Sequence, residues 1–141
     1  MASDNLANLA KVGQLKAEPA SQSEFDGLVR SGRARLIDAR NKGLAIESRF
    51  DLAYNASHSL ALAALRWHGY RSENRYLVFQ VLEQTAGLST GVWRVFATAH
   101  QKRNLAEYEG HVDVEDRLVL DLIESAKILL ATVEGFGAID S

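Results

Sequence analysis

Apolar residues recur every three or four positions over most of this chain, which is the signature of helices that bury one face. The clearest run spans Leu44 to His68, where Ile46, Phe50, Ala53, Tyr54, Ser57, Ala61, Ala64 and Leu65 share a side and Gly69 is placed to end the helix. Its small residues at Ala53, Ser57, Ala61 and Ala64 predict close approach by a neighbouring helix. A second run, Glu73 to Ala86, sets Tyr76, Phe79 and Leu82 together and stops at Gly87. Ser89 or Thr90 then caps a helix that carries Val92, Trp93, Phe96 and Ala99 toward Tyr108. Asp113 precedes a final helix with Glu115 and Asp116 in its first turn, where acids favour the positive end of the dipole. Leu118, Val119, Leu122, Ile123, Ala126, Leu129, Leu130 and Val133 form its apolar stripe, and Gly135 and Gly137 close it.

Pro19 is the one proline, and it separates two parts of the N-terminal region. Before it, Leu6, Leu9, Ala10 and Val12 make a short amphipathic arm over residues 1–20 that either packs on the body or frays. After it, Ser21 and Glu24 have the spacing of a capping box that starts a short helix, with Phe25, Leu28 and Val29 as its stripe and Gly32 as its stop. The joining segments are short, so chain neighbours are expected to be antiparallel. The expected fold is all-α: a single domain over residues 21–141, built as an up-and-down bundle of four to five helices.

Composition narrows the picture without changing it. A chain of 141 residues with 47% hydrophobic content buries one core and is too short for two ordinary domains. The absence of cysteine excludes a disulfide framework, a thiolate metal site and a cysteine nucleophile, and it fits a reducing cytoplasm. No secretory signal opens the sequence and no uncharged apolar run approaches a membrane span, so a cytoplasmic protein without membrane association is expected. Residues 1–75 carry 11 Lys/Arg against 8 Asp/Glu, or +3, whereas residues 76–141 carry 5 against 10, or −5. The asymmetry fits either a polar association surface or ordinary solvated helix faces.

The polar chemistry concentrates near Arg103, Asn104, Glu107, Tyr108 and His111. Arg103 and Glu107 are four apart, so one reading is a surface ion pair with a tyrosine at the helix end. The other makes Arg103 a phosphate ligand, with Asn104 and Tyr108 converging to orient it. Arg94 and His100 also enclose five residues, but Val95 and Phe96 follow the arginine, and His100 reads as an ordinary helix-face histidine. Between Arg66 and Tyr76, Arg66, Arg71 and Arg75 alternate with Trp67, Tyr70 and Tyr76 around His68. That interleaving suits bases and phosphates, although aromatics pinning a turn with arginines on the surface explain it more simply. Arg30, Arg33 and Arg35 read as solvated loop charges, and His58 as a core-edge or interface histidine. Glu107, Glu109, His111, Asp113, Glu115 and Asp116 crowd one segment without a recognised ligand spacing. No metal site and no cofactor are expected.

The long helix with Phe50 and Tyr54, its ending Arg66-Trp67-His68-Gly69-Tyr70-Arg71, the Arg103-Asn104-x-x-x-Tyr108 segment and the closing helix from Glu115 to Val133 together resemble the HEPN domain family. The resemblance covers residues 44–133 and implies a four-helix up-and-down bundle that dimerises. It also implies association with a nucleotidyltransferase or a toxin–antitoxin partner, and contact with RNA. Active members of that family are metal-independent ribonucleases with an Arg, four to six residues, then His. Arg103 and Asn104 match the start of that motif, but Tyr108 stands where histidine is commonest, and His111 follows with seven residues between. A phenol of pKa ~10 is a poor base at neutral pH. The resemblance therefore implies a non-catalytic interaction module with Arg103, Asn104 and Tyr108 as binding residues. The alternative is a ribonuclease in which Arg103 holds the phosphate and His111 supplies a displaced base.

Overall fold

The computed structural model of the chain describes residues 2–111 and 113–139. In chain order the elements are α1 (Ala2–Lys11), β1 (Lys16–Ala17), α2 (Gln22–Ala39), α3 (Ile46–Trp67), β2 (Tyr70–Arg71), α4 (Arg75–Gln80), α5 (Leu82–Thr85), α6 (Thr90–Glu109) and α7 (Asp116–Glu134). The fold is an all-α bundle, with one antiparallel two-residue strand pair matching Lys16 to Arg71 and Ala17 to Tyr70.

The long helices α2, α3, α6 and α7 form the body. Cross-links fix their directions: Arg49 donates to the Ala39 carbonyl, Ser59 to the Leu28 carbonyl and Arg66 to Glu24, so α2 and α3 run antiparallel along their whole length. Tyr54 meets His100, which sets α6 against α3, and Arg33 pairs with Glu134, which sets α7 against α2. α3 lies at the centre and packs on α2, α7, α4, α5 and α6. Ala53, Ala56, Ser57, Ala61, Ala63 and Ala64 are all fully buried on it. With so little side-chain volume there, both α2 and α7 approach α3 closely.

Gly32 does not stop the helix after Pro19. α2 continues through it to Ala39, and Gly32 is buried where α2 crosses α3. A Cβ there would stand 2.6 Å from Leu60 Cγ, so the missing side chain serves the crossing and not a cap. The same continuation places Arg30, Arg33 and Arg35 on a helix instead of in a loop. The capping box is half-formed: Ser21 Oγ accepts from the Glu24 N–H at 3.3 Å, while the Glu24 carboxylate is taken by Arg66 and Arg71.

The expected helix from Glu73 to Ala86 is two shorter ones broken at Val81. Val78, Phe79, Val81 and Leu82 are all buried across the break, and the N–H groups of Ala86 and Leu88 both return to the Leu82 carbonyl. Asn74 caps α4 through a bond from the Leu77 N–H. At the start of α6, Ser89 makes no side-chain cap; Glu83 instead accepts from the Thr90 hydroxyl and the Trp93 indole. α7 begins at Asp116, three residues beyond Asp113, with Glu115 at its N-cap position.

The N-terminal arm packs. Leu6 and Leu15 are buried, and α1 lies against α5. Its anchor is Arg66, only 1% exposed and not the surface residue that the turn-pinning reading expects. The guanidinium donates to the carbonyls of Glu18, Pro19 and Tyr70 and to the Glu24 carboxylate, and it pairs with Glu18 at 3.4 Å. Arg71 completes the clamp by bonding both acids. Its hydrogen bond holds the Glu18 carboxyl below its usual range. Burial pushes Glu24 up, but the bonds from Arg66 and Arg71 outweigh it and leave that carboxyl low as well.

Candidate anion site between three helices

The site lies between α3, α4 and α6 and is centred on Tyr54. α3 buries that ring among Phe50, Phe79 and His100. Two arginines from different helices converge on it: the Arg103 guanidinium carbon sits 4.9 Å from the ring centroid and that of Arg75 sits 5.8 Å away. Cation–π attraction accounts for part of this arrangement. It leaves one terminal nitrogen of each guanidinium, Nη1 in both cases, shielded from solvent with no hydrogen-bond partner among the described residues. A buried donor without an acceptor costs about 1–3 kcal/mol, and more when it is charged.

Two histidines complete the wall. His100 Nδ1 lies 2.9 Å from the Tyr54 hydroxyl and its Nε2 lies 3.1 Å from Asn104 Nδ2, so both ring nitrogens are engaged. His58, one turn after Tyr54, packs edge-on against Phe79. Burial, followed by the fields of Arg75, Arg103 and His100, pushes the His58 imidazole down to about 4. Burial and the same two arginines also lower His100, with Glu107 partly offsetting them. Both rings are therefore neutral near pH 7, and the positive charge of the site rests on the arginines.

The residues expected to act together around Arg103 do not all meet. Five positions along a helix turn about 140°, so Tyr108 cannot share the direction of Arg103. It projects from the end of α6, 91% exposed. Asn104 reaches back to His100, not forward to Tyr108. Arg103 forms no ion pair with Glu107 among the described residues; it turns inward over Tyr54 instead. His111 is exposed, with Nδ1 against the Glu109 carbonyl, but it lines one shallow depression of about 210 Å³ with Asp51, Arg103, Ala106, Glu107 and Gly110. Among the described residues no group of three His, Asp or Glu is placed to hold a metal ion.

Sequence reasoning passed over Tyr54, His58, Arg75 and His100 as site residues. A signal for them existed: His100 and Arg103 continue the inward stripe of Phe96, and His58 continues that of Phe50 and Tyr54, so polar groups occupy positions where an amphipathic helix normally places apolar ones. Arg94, by contrast, is exposed and separate from this cluster. No protein-family model matches the chain, and no curated protein matches it in sequence.

Proposed function

We propose that this chain is a non-catalytic binding module, HEPN-like in character, that holds a phosphate-bearing nucleic acid at the Arg75–Arg103 site. The observation that carries the reading is the pair of shielded guanidinium nitrogens with no acceptor among the described residues, drawn from two helices onto one ring. An anion would supply the missing acceptors and offset the cost of keeping two cations side by side. Asn104 steers His100 and thereby Tyr54, while the exposed Tyr108 ring offers a contact beyond the end of the site. Association with a second copy, with a nucleotidyltransferase or with a toxin–antitoxin partner belongs to the same proposal.

A second reading, metal-independent RNA cleavage, draws support from His111 and Arg103 sharing one depression. Non-catalytic binding is favoured because both nitrogens of His100, the histidine stacked on Tyr54, are already bonded, and His111 stands exposed beyond the end of α6 with Nδ1 turned to the Glu109 carbonyl, outside the arginine cluster. Incubation of the protein with mixed single-stranded RNA and tRNA in EDTA separates the two. Retarded but intact RNA, with retardation lost in Arg103→Ala, supports the module; cleavage products that disappear in His111→Ala establish the enzyme.

A further inference from the structure

We propose that the Arg75–Arg103 site takes the terminal phosphate monoester of a single-stranded RNA, with the end nucleotide stacked on Tyr76. This deepens the nucleic-acid reading above and rests on it. Charge is the first argument. Two guanidinium groups gathered over one ring, each with an unpartnered Nη1 among the described residues, match a group of nearly two negative charges and three terminal oxygens, which a monoester has. An internal diester brings one charge and two such oxygens.

Surroundings supply the second argument. A continuous backbone track needs a stripe of cations leading away from the site. Beside Arg103 the surface is mostly acidic: Asp51 and Glu107 border its depression, and Glu109, Asp113, Glu115 and Asp116 are exposed on the segment that follows, against one lysine, Lys102. Successive phosphates running that way would be repelled, whereas a chain end needs to place one phosphate only. The third argument is the aromatic neighbour. Tyr76 follows Arg75 in sequence, is half-buried, and its ring centroid lies 5.9 Å from that of His100. A base joined to the captured phosphate has a π-face within reach there, and base–aromatic stacking tolerates any sequence.

The test is a fluorescence-anisotropy titration of the full chain in EDTA with one short single-stranded RNA made with a 5′-phosphate, a 3′-phosphate or hydroxyls at both ends. A phosphoserine peptide serves as a further arm. One phosphorylated end is expected to bind at least about tenfold tighter than the hydroxyl-ended RNA, the scale of one charge-assisted contact. Arg75→Gln and Arg103→Gln should abolish the preference. If either unfolds by circular dichroism, Arg75→Lys keeps the charge, loses the planar fork and should still lose most of the preference. Equal binding of all three RNAs overturns the terminal-phosphate assignment and leaves the nucleic-acid reading standing. Absence of RNA binding, or tighter binding of the phosphopeptide, overturns both.

Discussion

Replacing Gly32 with alanine sets two effects of known size against each other. In a helix interior alanine is favoured over glycine by about 1 kcal/mol, so α2 gains by the exchange. The new Cβ, however, would stand 2.6 Å from Leu60 Cγ, 2.7 Å from Leu60 Cδ2 and 3.3 Å from the Ala56 carbonyl oxygen. Carbon atoms pack best at about 3.5–4.0 Å, so the helices must part or Leu60 must move by roughly 1 Å. Leu60 is fully buried, and its Cγ is not a free chain end that can swing aside. Overpacking of this kind costs about 1–3 kcal/mol. The clash wins, and Gly32→Ala should be destabilised by about 1 kcal/mol net, a fall of roughly 2–5 °C in melting temperature. Gly27 on the same helix has nothing within 4 Å of its would-be Cβ, so Gly27→Ala should gain stability. Urea unfolding of both variants, and of Gly32→Ala in a Leu60→Ala background, measures each term. In that background the clash is gone and the alanine should become neutral or stabilising. Gly32→Ala more stable than wild type would refute the close crossing of α2 and α3.

Three further outcomes follow from the same packing. Arg66→Ala should cost about 3–5 kcal/mol, because it leaves two acids and three carbonyls short of a buried donor, and protease should then cut the arm over residues 1–20 first. His58 is neutral in the folded chain down to about pH 4 but charges near pH 6.5 when unfolded, so the unfolded state binds the extra proton. Stability should be intact above about pH 6.5 and fall as the pH drops to about 4, by up to about 3 kcal/mol; urea midpoints across that range check it, and His58→Phe should flatten the slope. Tyr108→Ala should leave stability within about 0.5 kcal/mol of wild type, because the ring touches so little.

Helix content, the small-residue face of α3 that a neighbour approaches closely and the buried stripe of α7 were legible because periodicity records burial directly. The role of Gly32 was not, since glycine's missing side chain reads alike at a helix end and at a helix crossing. Arg66 was misplaced for a related reason. An arginine beside aromatics usually lies on the surface, and only the fold brings Glu18, Glu24 and three carbonyls around it. At the candidate site, Arg103 was visible from its polar neighbourhood. Its partners came from 28 to 49 residues away, on α3 and α4, and no local spacing encodes that meeting. Tyr108 shows the converse: close in sequence, it points elsewhere because the helix turns between.

The central claim is that Arg75 and Arg103 await an anion around Tyr54, and the ring protons of His58 and His100 report on it. Proton NMR titration of both histidines, with and without saturating single-stranded RNA, tests it directly. Burial depresses both rings first, and the fields of Arg75 and Arg103 add to it. A phosphate between the arginines offsets those fields, so both should titrate at higher pH with RNA bound, and Arg103→Gln should remove the RNA-induced change. Histidines whose titration is indifferent to bound RNA would place the binding surface elsewhere and contradict the account.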